Sequence, residues 1–599
     1  MSKKERSSLL LLYKFFNLFV YKEPPEPHTF VLPEFNDENI DRHENTIKSE
    51  LKQDSSSTDD KTPKKVRKIK EPLNVPEWNS ARESAPEEYM NPDKISSDLQ
   101  TNLEIIKNQL NYPQNKDIII REFRLANPDR TKAFCVFIDG MIDIKALYNL
   151  LECLMVPENF NRKIDSSVCE LIPEDIVRAG ETSQEYKIST TIQLVLYGLI
   201  AVFIDRCPYA LCIESKVYEK RPIERTLTES VVFGSQEGFV ENLRTNATLI
   251  RRRIKNKNLV TETFVLGDTD NNSCAIMYIK GLANPALVEE VKRRIKSIKT
   301  DSIYSIGALE QFIEDSPLSM FPQTIITERP DRIASFIIEG KVAIIVDGSP
   351  YALTVPATLT SLVQTSESSN LRWQFGTFLR IIRFIAMGLA LLLPGIYIAL
   401  TNFHQEMIPT DLLISIEKAR EEVPFPSIVE ILLMEISFEI VREASIRVPG
   451  IIGTTVGIIG TLILGQAAVA AKIISPILVI VIAMTGLGSF TIPNYQLSFS
   501  IRILRFFFIF LGYMLGFYGI SLGLFVMVGL MSSMKSFGVP FLSPAAPFTG
   551  NAFKDTLFRF PIWKQETRPD YIQPLDKKRQ PGISRGWVKS KPKGRKEPP

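Results

Sequence analysis

"GLIAVFIDRCPYALCI" at 198–213 and "GKVAIIVDGSPYALTV" at 340–355 agree at seven of sixteen positions without a gap. Each opens on glycine, runs through an apolar strand to an aspartate, turns, and leaves through Pro-Tyr-Ala-Leu. A second pair lies upstream, "REFRLANPDRTKAFCVFIDG" at 121–140 against "ETFVLGDTDNNSCAIMYIKG" at 262–281. Here an alternating strand meets a polar Asp/Asn-rich turn and a second strand, the pattern of a hairpin. A helix-period segment follows each, "MIDIKALYNLLECLM" and "ANPALVEEVKRRIKSI". Self-similarity at this scale sets the architecture. Two copies of one α/β module are expected, near 117–215 and 259–357, and the hairpins make the class α+β.

The repeated Asp205 and Asp347 sit three residues before a proline, at strand–turn junctions. Aspartate is usual there because its carboxylate bonds backbone amides, so a structural role is expected of both. No phosphate-binding GxxxxGK[ST] pattern occurs. "DTDNN" at 268–272 lacks the glycine and distant glutamate of a calcium loop. No Ser/His/Asp or Cys/His set stands out, so the chain does not read as an enzyme and no cofactor is expected. Six cysteines (Cys135, Cys153, Cys169, Cys207, Cys212, Cys274) form no CxxC pair and read as buried free thiols. Three scattered histidines argue against a histidine metal site. A net charge of +3 argues against nucleic acid.

Hydropathy rises steeply along the chain. An N-terminal segment and disordered linker occupy 1–95. "MSKKERSSLLLLYKFFNLFV" imitates a secretory signal, but Lys14 interrupts it and no small-residue cleavage site follows. It reads as an interfacial helix or a partner-docking segment. The first α/β subdomain takes 96–233 and the second 259–374. Between them, 234–258 forms a connecting helix ending in Arg251, Arg252 and Arg253. Three adjacent arginines cannot share one helix face. They reach toward carboxylates of a neighbouring subunit, lipid phosphates or solvent.

The region 375–535 is the helical, polytopic membrane domain, and 536–599 a Pro-rich basic tail. After Asn551 the tail carries thirteen Lys/Arg against five Asp/Glu, which places it in the cytoplasm by the positive-inside rule. Spans are expected at 381–403, 449–471, 473–490 and 501–530, with five or six crossings if the segment 425–447 re-enters. That segment carries Glu430, Glu435, Glu439, Arg442 and Glu443. Its apolar residues contribute roughly −5 kcal/mol to insertion while five charges cost on the order of +12 to +17, so it cannot face lipid. Glu435, Glu439 and Glu443 share one helix face. They line water as a cation vestibule, meet another subunit, or face solvent from a helix lying in the interface. Pairs Arg442–Glu439 and Arg447–Glu443 would make the face merely structural. At 449–471, Gly453, Gly457 and Gly460 form a small-residue seam, with Thr454 and Thr461 on a second face. Such a helix suits the centre of a bundle, wet or dry.

The motifs "EGFVENLRTNATLIRRR" (237–253), "TERPDR" (327–332), "VDGSPYALTVP" (346–356), "PGIYIALTNFHQEMIP" (394–409), "PFPSIVEILLMEISFEIVREASIRVPG" (424–450) and "GQAAVAAKIISPILVI" (465–480) resemble the GerA family of spore germination proteins, A-subunit type. The resemblance covers roughly 101–534. It implies an A subunit of a nutrient germinant receptor in the spore inner membrane, multi-pass, with both ends on the core side. Partners implied are a transporter-like B subunit, a lipoprotein C subunit, membrane lipids and further copies of the chain in a ring, a pentamer. The ring would release monovalent cations when nutrient binds. Mapped onto this sequence, Gly453, Thr454, Val456, Gly457, Gly460 and Thr461 become the expected pore lining. The alternatives are a non-conducting relay subunit, or an accessory germination protein of the same family acting downstream of receptors.

Overall fold

The computed structural model describes residues 93–156, 182–215, 229, 231, 233–448, 465–549, 555, 556 and 558–580. They fall into two units, one within 33–222 and 244–263, the other within 223–243 and 264 onward.

In the first unit, helix α1 (Leu99–Gln109) leads into hairpin β1 (Ile118–Arg124) and β2 (Lys132–Ile138). Helix α2 (Ile144–Met155), strand β3 (Thr182–Glu185), helix α3 (Ile188–Leu196), and strands β4 (Leu199–Ile204) and β5 (Ala210–Glu214) follow. The sheet order is β1-β2-β4-β5-β3, antiparallel throughout. The β1–β2 turn closes because Asn127 accepts the Thr131 backbone N–H at 2.8 Å. All six residues of β4 are buried, since both faces of the sheet are covered. Val202 packs toward Leu147, Leu151 and Leu154 of α2. Ala201 and Phe203 pack toward Ile106 of α1 and Ile192 and Val195 of α3. This alternation follows directly from strand geometry.

Helix α4 (Leu243–Arg253) leads to the second sheet, β6 (Leu259–Leu266), β7 (Asn272–Ile279), β8 (Ile325–Thr327), β9 (Val342–Val346) and β10 (Ala352–Val355). Its order is β6-β7-β9-β10-β8, the first sheet's order repeated strand for strand. Helices α5 (Pro285–Ser297), α6 (Ile306–Ile313) and α7 (Pro330–Glu339) complete it. Asp347 accepts the backbone N–H of Leu243 at 2.8 Å, the structural use expected of a junction aspartate. The cysteines differ in part from expectation. Cys135, Cys212 and Cys274 are free and buried, but Cys207 is disulfide-bonded.

The longer helices that follow, among the described residues, are α8 (Trp373–Phe403), α9 (Thr410–Arg420), α10 (Ser427–Arg447), α11 (Pro476–Phe490) and α12 (Tyr495–Ser533). Among the described residues, α8 and α12 are long and apolar enough to cross a membrane, with mean hydropathies of 2.1 and 2.0. The expectation of one final crossing at 501–530 is corrected by Gly516. Its φ of 60° and ψ of −141° break the helix, in a region that only glycine enters cheaply. The chain then folds back on itself. A Cβ on Gly523 would stand 3.0 Å from Phe508 Cε1 and 2.6 Å from Leu511 Cδ1. In a straight helix, positions 508 and 523 would be about 22 Å apart. Both ends of α12 accordingly meet the second subdomain. Ser500 donates to the Met320 carbonyl, and Ser536 donates to the Gln323 carbonyl at 2.6 Å.

The fold-back defines a near end of the bundle, by the second subdomain, and a far end, where Gly516 meets Phe403 and His404. The outgoing half of α12 lies along α8 through a glycine crossing, in which a Cβ on Gly512 would stand 2.6 Å from the Gly395 carbonyl. Helix α10 starts at the far end, where Ser427 donates to Asn402 at 3.0 Å. It runs to the near end, where Arg442 donates to Ser489 at 2.6 Å. Thus the acid-rich helix runs through the length of the bundle. Ile431 and Met434 of α10, Ile398 of α8, Leu478 and Ile482 of α11 and Ile509 of α12 share one apolar cluster.

Candidate functional site: a charge network inside the helical bundle

An acidic helix joins an apolar bundle only if its charges find partners. The sequence supplies them from two places. At the far end, Glu430 accepts the Ser475 backbone N–H at 3.2 Å, with Arg420 3.6 Å away. Farther along, α10 presents Glu435 and Glu439 one turn apart, and α12 answers with Arg502 and Arg505, three residues apart on one face.

Arg505 stands between the two acids. Its guanidinium is 3.1 Å from Glu435 Oε2 and 3.0 Å from Glu439 Oε1. Arg505 and Glu435 both have zero exposure. Arg502 donates to Glu439 Oε2 at 2.7 Å, and Arg442 lies 3.8 Å from Glu439 Oε1. Aromatic faces hold the remaining flanks. Arg442 sits 4.2 Å from the Phe490 ring centroid, and Arg502 4.4 Å from that of Phe499. Three arginines thus meet two glutamates. Neither Glu435 oxygen has a hydrogen-bond donor among the described residues, and the Nε atoms of Arg442, Arg502 and Arg505 have no acceptor.

The expected acidic face therefore divides. Glu435 and Glu439 turn inward to arginine, while Glu443 is exposed and pairs with Arg447 at 2.7 Å. Arg502 and Arg505, at the start of the expected span 501–530, are partners that the sequence analysis did not identify. The signal for them is the spacing: acids at i and i+4 on α10, arginines at i and i+3 on α12. The expected pore residues Gly453, Thr454, Val456, Gly457, Gly460 and Thr461 lie outside the described residues.

Of the arginine triplet, Arg251 is 1% exposed and engaged within its own chain. It donates to Asp117 at 3.0 Å, and to Asn115, the Leu259 carbonyl and Thr261 at 3.2–3.3 Å. Arg252 and Arg253 are half-buried. The subunit contact expected of the triplet is therefore not available to Arg251.

A second feature lies where the second subdomain meets α12, a cavity of about 320 Å³ lined by Glu310, Glu314, Met320, Tyr495, Gln496 and Phe499 among others. Burial, with Glu310 and Asp315 nearby, pushes the Glu314 carboxyl up to about 7. Elsewhere, burial pushes the Cys135 thiol up to about 11 and those of Cys212 and Cys274 to about 12, so none is a thiolate near neutrality. No group of three metal-ligating side chains occurs among the described residues.

The sequence matches the family model of the Bacillus/Clostridium GerA spore germination protein over residues 104–571. Spore germination protein KA of Bacillus subtilis is 38% identical over 84% of this chain and 93% of its own. Spore germination protein GerLA of Bacillus cereus is 36% identical over 79% of this chain and 95% of its own. The membrane protein YfkQ of Bacillus subtilis is 38% identical over 79% and 91% respectively. The crystal structure of the N-terminal domain of the A subunit of the Bacillus megaterium spore germinant receptor GerK3 is 30% identical. It covers 44% of this chain and 97% of its own, with a TM-score of 0.36.

Proposed function

This chain belongs to the Bacillus/Clostridium GerA spore germination protein family, and on that premise we propose that it is the A subunit of a nutrient germinant receptor. It acts in the spore inner membrane with a transporter-like B subunit and a lipoprotein C subunit. Copies of the chain form a ring, a pentamer, that releases monovalent cations when nutrient is sensed. The second subdomain and the basic tail lie on the core side. Helices α8, α10 and α11, the expected span at 449–471 and the two halves of α12 cross the bilayer, six crossings in all. The Gly/Thr-rich stretch from Gly453 to Thr461 lines the conducting path.

The observation that carries this reading is the Glu435–Arg505–Glu439 network. Ionisable groups at zero exposure in an apolar bundle are costly, and where they persist they mark ion pathways or elements with two arrangements. Their incomplete hydrogen bonding fits a second arrangement that the resting bundle does not show. The test is reconstitution of the full chain, with and without its B and C partners, in potassium-loaded vesicles. Nutrient-dependent potassium efflux is expected with the partners present. No efflux and no single-channel current from a correctly inserted complex would refute conduction.

One observation favours a second reading. Glu435 and Glu439 are both held by arginines of their own chain, which leaves no free acid from this pair to concentrate cations. A relay subunit that moves α10 against α12, and so opens a separate channel, would use the same network. Efflux through the reconstituted A subunit separates the two.

A further inference from the structure

We propose that the chain's C-terminal segment, 555–580, is a mechanical tie that makes the second subdomain and the base of α8 move together. The proposal rests on the channel reading only for what the movement is for.

After α12 the chain returns to the near end of the bundle, and at residues 555–559 it is anchored on the base of α8 and the residues just before it. Arg380, 4% exposed, donates to the Asp555 carbonyl at 2.5 Å and to its carboxylate at 3.1 Å. Gln364 donates to the same carbonyl at 3.0 Å. Arg559, 4% exposed, donates to the Leu371 carbonyl at 2.7 Å, just before α8 begins. Its own backbone N–H goes to Thr377 Oγ1 at 3.1 Å. Gly376 makes room for it, since a Cβ there would stand 2.8 Å from Arg559 Cδ.

The segment then runs on to a second set of anchors in the second subdomain, at the end of α7 and the start of α5. Arg568 donates to the Ile338 carbonyl at 3.1 Å, at the end of α7. Leu575 donates to the Leu282 carbonyl at 3.0 Å, and Asn284 to the Gln573 carbonyl at 3.3 Å, both at the start of α5. Ile572 is fully buried. A Cβ on Gly340 would lie 3.3 Å from Pro574 Cβ. The contacts are chiefly hydrogen bonds from buried or half-buried side chains to backbone carbonyls, with one backbone pair from Leu575 to Leu282. Between residues 282–284 and 338–340 on one side and 371–380 on the other, the segment acts as a strap with both ends fastened.

A strap fastened at both ends transmits displacement, whereas a tail lying on a surface does not. The test uses the full chain carrying Leu575→Pro, which removes the N–H that reaches Leu282. Hydrogen exchange is read at 371–380, a site the substitution does not touch. About a tenfold rise in exchange there is expected, since local opening propagates only through connected contacts. A staple from Gly340→Cys and Pro574→Cys is close to the required spacing, the 3.3 Å between Cβ positions lying just under the usual disulfide range of about 3.5–4.5 Å, so a small shift closes it. In the Leu575→Pro background the oxidised staple is expected to restore protection at 371–380, and reduction to remove it again. That reversal excludes simple misfolding. Unchanged exchange at 371–380, or a formed staple that restores nothing, overturns the proposal. So does a chain ending at residue 580 that shows the same rise, because it keeps the strap intact. Raised exchange with normal ion release from spores leaves the tie standing and counts against the channel reading.

Discussion

Arg505 lies 3.1 Å from Glu435, and neither side chain is exposed at all. Removing one member of such a pair strands the other charge in an apolar bundle, at a cost of about 3–5 kcal/mol. Arg505→Leu is therefore expected to lower the midpoint of thermal unfolding in detergent more than Glu435→Leu/Arg505→Leu does. Arg442 and Arg502 remain in the double variant to hold Glu439. Equal loss in the single and double variants would show that the pair is not coupled.

The fold-back at Gly516 predicts a cross-link that no straight helix can form. Cysteines at positions 511 and 523 would be about 18 Å apart along a continuous helix. In the hairpin a Cβ at 523 sits within 2.6 Å of the Leu511 side chain. Oxidation of the Leu511→Cys/Gly523→Cys chain should give an internal disulfide, read as a mass loss after alkylation. Gly516→Val in the same background should abolish it. A valine there has no low-energy conformation at φ 60°, and even its Cβ would stand 2.9 Å from the His404 ring.

Lys341 gives a pH signature. It is wholly buried, its Nζ has no hydrogen-bond acceptor among the described residues, and it lies 4.3 Å from the centroid of the Phe336 ring. Burial holds its ammonium down to about 8, against an ordinary 10.5. Below about pH 8 the group is charged in both folded and unfolded chains, and the full cost of burying that charge falls on the fold. Between the two values the cost fades, because the folded chain has shed the proton that the unfolded chain still holds. Lys341→Met should thus stabilise by up to about 3 kcal/mol at pH 7 and by little above pH 10.5. A gain of equal size at both pH values would locate the effect in packing instead.

For the proposed conducting path, Gly457→Leu adds bulk to the small-residue seam expected from the sequence. Ion release from spores should slow while the amount of protein in the inner membrane stays normal. Wild-type release kinetics would remove Gly457 from the path.

The two sheets were legible in the sequence because each repeat carries its turn chemistry at fixed positions. The glycine, the aspartate and the Pro-Tyr-Ala-Leu run recur, and turns fix register. The hairpin in α12 was not legible. Gly512, Gly519 and Gly523 are glycines of close approach, and nothing local distinguishes Gly516 from them. Its conformation is imposed by two halves packing on each other. Nor did periodicity expose the charge network. It shows which acids share a face, but the arginines that answer them lie more than sixty residues along the chain. Residues 555–580, within the expected basic, proline-rich tail 536–599, carried no such signal, because a strap held by scattered arginine, glutamine and asparagine bonds to carbonyls needs no apolar period.

The hairpin also bears on how the protein is made. Under the proposed topology, its two halves enter the bilayer together and leave the chain on the side from which it came. The thirteen basic residues after Asn551 then never face translocation, which their charge would resist. A helix of odd parity in the same place would send them across. The glycine at the turn thus governs the sidedness of everything synthesised after it.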